Sequence, residues 1–192
     1  MADDIDLPIL GTEPVSVEFA NTLYGTGEDR VDFLDTPHGI EQWLAQVSVQ
    51  HGVPAEAKSC DTLRIRELRD AVRAVLLATI DGQAPGQAAL DTVNDAAAAA
   101  PTHLRLSWAS KAAVATRLDT SAGQAALLGR LATSCIELAS GPDAAGLRRC
   151  DTPDCSLLFV RTHQRRRYCH PSCSHRDRQA RYYHRRTAGA SA

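Results

Sequence analysis

The clearest periodic stretch of the chain runs from Asp61 to Ile80, where Leu68, Val72, Val75, Leu76 and Ile80 return at three- and four-residue steps before Asp81-Gly82 stops the run. That spacing predicts an amphipathic helix. Its arginines, Arg64, Arg66, Arg69 and Arg73, alternate with Glu67 and Asp70 at salt-bridge spacing, which reads as a solvated helix face. Three further helices follow from the same pattern. Thr36-Pro37 reads as an N-cap followed by proline at the first helical position, and Ile40, Trp43, Leu44 and Val47 then share one apolar face. A second segment covers roughly Gly86 to Ala99 and ends at Pro101, its alanine run being helix-favouring filler. From Gly123 to Ser140, Leu127, Leu131, Cys135 and Leu138 fall on one side, and Gly141-Pro142 ends the helix.

Period-two alternation marks the remaining elements. Leu104, Leu106 and Trp108 alternate, as do Val114, Thr116 and Leu118, so a β-hairpin is predicted with Ala109–Ala112 between its strands. Val15–Phe19 alternates like a strand but runs into Phe19-Ala20-Asn21-Thr22-Leu23, which equally begins a helix, and the pattern leaves both open. Gly25–Arg30 reads as a loop. The fold expected is α+β, a predominantly helical N-terminal domain with a small hairpin (1–140). After it come a Gly141–Leu147 linker, a small C-terminal module (148–187) and a disordered tail (188–192).

Charge separates the two parts. From Arg148 onward eleven arginines face only Asp151, Asp154 and Asp177, a formal +8, whereas the rest of the chain carries 10 of the 21 basic and 20 of the 23 acidic residues, a formal −10. Such asymmetry implies different partners for the two halves, and clustered arginine suits phosphate and guanine edges. Both lysines, Lys58 and Lys111, lie in the acidic part.

The basic module contains the one pattern that specifies chemistry. Cys150 and Cys155 form C-x4-C, a 13-residue spacer follows, and Cys169 and Cys173 form C-x3-C. Four thiolates in two close pairs converge on one ion at about 2.3 Å, which is structural zinc chemistry with no open position for catalysis. Two disulfides or four unrelated thiols are the alternatives. The acidic Met1-Ala2-Asp3-Asp4 start lacks a signal-peptide pattern, and no apolar run approaches the roughly 20 residues that span a bilayer. A reducing, cytoplasmic setting is therefore expected, where paired cysteines read as metal ligands. Neither pair has the C-x-x-C spacing of redox motifs. His170 and His175 flank the second pair and are alternative ligands, although four thiolates already complete the shell; His163 and His184 read as solvent- or phosphate-facing. Cys60 and Cys135 read as inert boundary and core residues.

Around the ligands, Ser156–Val160 is a short apolar strand, Thr162–Arg167 an exposed turn, and the second pair opens a last helix from Ser174 to about Arg186. Ser174, Arg178, Arg181 and Arg185 fall on one face of that helix, and Ala180 and Tyr183 on another. These residues resemble the CGNR-type zinc finger joined to an N-terminal ABATE domain, a family of stress-induced bacterial transcription regulators. The resemblance rests on Cys150–Cys155, Phe159, Arg166-Arg167-Tyr168-Cys169 and Cys173-Ser174-His175-Arg176. Upstream it rests on Phe19-Ala20-Asn21-Thr22, Asp32-Phe33-Leu34, Trp43-Leu44 and Leu68–Val72. Ser174 and His175 stand where the family has glycine and asparagine. Serine at 174 is itself a helix-capping residue type.

The resemblance implies a treble-clef-like finger ending in a basic helix, and a DNA-binding regulator. Arg165, Arg166, Arg167, Arg178, Arg181 and Arg185 would neutralise phosphates, with Arg176 or Arg178 nearest a base. Tyr182 is expected to be exposed, while Tyr183 reads equally as core or as a stacking surface. The alternative is a zinc-stabilised module for RNA or a protein partner. No HExxH, GxSxG or phosphate-binding glycine loop is present, so no enzymatic role is expected. Asn21, Thr22, Arg30 and Asp32 are the candidates for a small-molecule effector pocket, against the plainer reading that they hold a turn and make surface contacts.

Overall fold

In the computed structural model, which describes residues 11–53 and 60–189 and side chains as far as Tyr182, the ambiguous first segment is a helix, α1 (Val15–Ala20). Ser16 to Ala20 are all buried there, so their polar–apolar alternation does not separate a wet face from a dry one. The polar members are satisfied internally: Ser134 Oγ accepts from Ser16 N at 3.2 Å, and Glu18 Oε1 accepts from Gly11 N at 2.7 Å. The loop that follows is a 3₁₀ turn (Gly27–Asp29) flanked by two short antiparallel strands, β1 (Leu23–Tyr24) and β2 (Val31–Asp32).

Thr36 caps α2 (Pro37–His51) as its sequence predicts, its Oγ1 accepting from Gly39 N at 3.1 Å, and Ile40, Trp43, Leu44 and Val47 are buried. The long helix α3 (Thr62–Asp81) is capped by the Asp61 carboxylate and ends at Gly82 in the left-handed conformation. Then come α4 (Gln87–Ala99), β3 (Thr102–Ala109), β4 (Ala112–Asp119) and α5 (Gly123–Ser140). Helices α1, α3 and α5 pack together with α2 around Phe19, Trp43, Leu68, Leu76, Leu127 and Leu131. Burying each such side chain contributes about 1.5–3 kcal/mol. The α4–α5 approach is close because residue 129 is glycine: a Cβ there would sit 2.5 Å from that of Ala100.

The arginines of α3 do not form a solvated face. Arg69 is 1 % exposed, and its guanidinium holds Asp32 through two bonds of 2.7 and 2.8 Å and Asp70 through a third of 2.7 Å. Arg73 is half-buried and donates to Ala20 O and Ser156 O. Only Arg64 and Arg66 carry their charge toward solvent, Arg66 still pairing with Asp32 at 3.0 Å. Interleaved acids misled the sequence reading, because the partner that draws Arg69 inward lies on β2, 37 residues away.

The predicted hairpin forms with Leu104 opposite Arg117, Leu106 opposite Ala115 and Trp108 opposite Ala113. Its turn is only Ser110-Lys111, both at positive φ (47° and 76°), the twist a two-residue hairpin needs. Leu104, Leu106 and Trp108 project into solvent, and the ribbon is anchored at its base, where Arg117 bonds Glu137 and Arg130 bonds Asp119.

Pro142–Gly146, read as part of a linker, is a 3₁₀ turn leading into β5 (Leu147–Arg149), which pairs with β6 (Leu158–Val160); α6 (Pro171–Gly189) closes the chain. Leu147 and Leu158 are fully buried in the same core as α1, α3 and α5. The end of α6 covers positions 188 and 189 of the expected tail; the other three lie outside the described residues.

Candidate metal centre and its arginine surface

The turn between β5 and β6 carries Cys150 and Cys155, the loop after β6 carries Cys169, and the first turn of α6 carries Cys173. Their Sγ atoms all lie within 4.8 Å of one another, with Cys155–Cys169 at 3.7 Å, Cys169–Cys173 at 3.6 Å and Cys173–Cys155 at 3.9 Å. A disulfide would need about 2.05 Å. A tetrahedron with sulfur at about 2.3 Å from its centre has edges of about 3.8 Å, so the donor set fits zinc. His170 stays outside this set: its Nδ1 accepts from Ser172 N at 3.2 Å and caps α6. Among the described residues, the grouping of metal-binding side chains comprises the four cysteines alone.

The backbone places the sulfurs. Cys150 N donates to Leu157 O, Cys155 N to Thr152 O and Cys173 N to His170 O, each at 3.0–3.1 Å, which closes the chain around the site. Cys169 N reaches Cys150 Sγ at 3.5 Å and Arg176 Nη2 reaches Cys173 Sγ at 3.2 Å, offsetting negative charge on sulfur. Crowding makes Cys150, Cys155 and Cys169 ionise unequally. The neighbouring Cys155 and Cys169 thiols draw Cys150 far below the ordinary thiol range, and contact with Cys150 pushes Cys155 up to about 12 and Cys169 strongly upward. Zinc would supply the positive charge that lets all four ionise together. Elsewhere, burial pushes the Cys135 thiol up to about 12 and raises Cys60, so both stay protonated.

Residues 13–142 match the ABATE family, described as "Putative stress-induced transcription regulator", and residues 147–186 match the CGNR zinc finger. The chain belongs to the ABATE family. Comparison with curated proteins gave no match. The two matched families are regulatory and zinc-finger families rather than families of enzymes. Among the described residues, no helix is long and apolar enough to cross a membrane.

Within the finger the predicted arginines divide into two groups. Arg166, expected to meet nucleic acid, is engaged from within the protein: it donates to Val160 O at 3.0 Å, Cys169 O at 2.9 Å and Glu13 Oε1 at 2.7 Å, and it lies 4.6 Å over the Phe159 ring. Arg176 is exposed but turns its guanidinium toward Cys173. Arg165, Arg167, Arg178 and Arg181 are exposed; Arg167 pairs with Asp151, and Arg181 with Asp177 and Tyr168 Oη. Tyr182 is exposed as expected. The side chains of Arg185, Tyr183 and His184 lie outside those described. Helix α6 begins three residues earlier than predicted, with His170 as its cap, so Ser174 sits within the helix rather than at its start.

Three of the four effector candidates of the ABATE region have structural employment. Asn21 grips one peptide of the finger, Nδ2 donating to Leu158 O at 2.9 Å and Oδ1 accepting from Leu158 N at 2.8 Å. Thr22 Oγ1 donates to Phe19 O, Asp32 is held by Arg69, and Arg30 is exposed. Sequence reasoning missed the residues that join ABATE region to finger. Glu13, buried at 2 %, accepts from Val160 N at 2.6 Å as well as from Arg166, and Arg149 bonds Asp81 twice. It also missed Thr152, whose Oγ1 donates to Cys173 O. No local signal marks Glu13, because its side-chain partners come from distant segments.

Proposed function

We propose that this protein is a zinc-dependent DNA-binding transcription regulator. Cys150, Cys155, Cys169 and Cys173 would hold the ion, and the exposed arginines around α6 would meet the duplex. The observation that carries the reading is the joining of the two features: Cys173, a sulfur of the tetrahedral set, lies in the first turn of the helix that displays Arg178 and Arg181. A metal there would fix the angle of the basic helix, as phosphate contact requires. The family-typical Arg176 is committed to sulfur, so Arg178 is the better candidate for a base edge. Sensing of a small molecule is proposed for the ABATE half. Because Asn21, Thr22 and Asp32 are engaged, the cavity better suited to it is one of about 480 Å³ between α3, α4 and α5, walled by Glu67, Leu68, Asp95 and Leu128.

The test is fluorescence anisotropy of the zinc-loaded protein on a pool of duplexes across a salt series, with chelator controls. Loss of binding on chelation, with log K falling several units per log of salt, is the expected result. A zinc-containing protein that ignores duplex at low salt overturns DNA binding and transfers the module to RNA or a protein partner. Thermal-shift screening of metabolites tests the sensor, since a ligand at 100 times its Kd adds about 2.7 kcal/mol.

A further inference from the structure

Beside the metal knuckle lies a cavity of about 640 Å³, bounded by the Thr162–His170 loop, the start of α6 and Thr12 from the N-terminal segment. Its volume falls in the range that takes a small organic ligand. Its chemistry is one-sided. Arg165, Arg167, His163 and His170 supply cations or N–H donors, Thr12, Thr162 and Ser174 supply hydroxyls, and among the described residues no Asp or Glu lines it.

Two of its guanidiniums are committed elsewhere, whereas Arg165 and His163 are not. Arg167 shares its charge with Asp151, and the guanidinium of Arg166, which also lines the cavity, is occupied by Glu13 and three carbonyls. Arg165 and His163 are exposed and have no ion pair among the described residues. His170 Nδ1 accepts from Ser172 N at 3.2 Å and so belongs to the helix cap. The α6 N-terminus opens on the same cavity through Pro171 and Ser174 and adds the positive end of a helix dipole. A carboxylate would be satisfied by one guanidinium fork. Several cations, three hydroxyls and a dipole around one space suit an anion with three or more oxygens.

We propose that this cavity is a phosphate-ester seat. The hydroxyl of Ser174, where the family pattern has glycine, belongs to it, and Thr12 makes it common to both halves of the chain. The ester is either a backbone phosphate of bound DNA, which rests on the DNA-binding reading, or a free phosphorylated small molecule, which does not.

The experiment uses full-length, zinc-loaded protein, a fluorescein-labelled duplex and adenosine 5′-monophosphate. It compares wild type with the double variant Arg165→Gln/His163→Gln and with Arg178→Gln on α6, and zinc content and melting temperature verify each fold. If the seat holds a DNA phosphate, the double variant binds duplex roughly tenfold more weakly and the salt slope falls by about 0.9. If it holds a free ester, wild type binds the mononucleotide by calorimetry and the double variant loses that binding, whether or not duplex binds at all. A double variant equal to wild type in both assays overturns the seat; the DNA reading then survives if Arg178→Gln weakens the duplex. Wild-type protein that binds neither probe overturns both.

Discussion

Asn21 shows how much a single polar side chain decides here. It is fully buried, and its amide satisfies both the N–H and the C=O of Leu158, which no water reaches. Asn21→Ala strands two buried groups at about 1–3 kcal/mol each, so denaturant titration should register a loss of about 2–6 kcal/mol. Arg69 is a second such residue. Removing it leaves the Asp32 carboxylate without its main counter-charge, and Arg69→Ala should cost about 3–5 kcal/mol. The pair also sets a pH window. Burial raises the Asp32 carboxyl, but the Arg69 bonds and charge, Leu34 N and Arg66 outweigh it and leave it below 3.8. A depressed folded-state value means that the stabilisation is complete above the unfolded-state value near 4 and is lost as pH falls through the lower, folded one. Acid titration of wild type should therefore show a destabilising step below pH ~4 that is absent from Arg69→Ala.

The elements were legible where local chemistry determines them. Thr36-Pro37 caps and starts α2, Gly82 stops α3, and the alternation of Leu104–Trp108 and Val114–Leu118 made a hairpin. Distant contacts determine the rest. Ile65, Leu68, Arg69, Val72 and Leu76 occupy one stripe of α3, so position alone hinted that Arg69 faces inward, but Asp32 had to be folded beside it to make that tolerable. The four cysteines could be grouped from spacing, whereas His170 as the α6 cap depends on a ring geometry that sequence does not encode. The hairpin carries its own tests. Trp108 is 75 % exposed and Trp43 is 1 %, so acrylamide should quench the emission of a Trp43→Phe variant strongly and that of a Trp108→Phe variant weakly. Replacing Ser110-Lys111 with Asn-Gly puts glycine at one left-handed position and the more tolerant asparagine at the other, and should stabilise the protein by roughly 1 kcal/mol, read from its melting temperature.

Across the whole molecule, metal centre and helical core form one mechanical unit. Leu147 and Leu158 belong to the main core, while Cys150 follows β5 and Cys155 precedes β6, so disorder at the sulfurs must reach the leucines. Chelation should consequently lower the melting temperature of the entire chain in one transition, seen together by helical circular dichroism and by the buried Trp43. Two separate transitions, with Trp43 unmoved, would show that the finger melts alone.

Leu147 and Leu158 also bear on whether the finger is portable. A stretch grafted from residues 147–186 onto another protein would arrive with two aliphatic side chains and the Leu158 peptide facing water, having left behind the helices and the Asn21 amide that covered them. The donor would keep a hole of the same shape. Recombination that shuffles this finger among proteins must therefore carry its landing surface with it, so the two halves are expected to travel through evolution as one heritable piece.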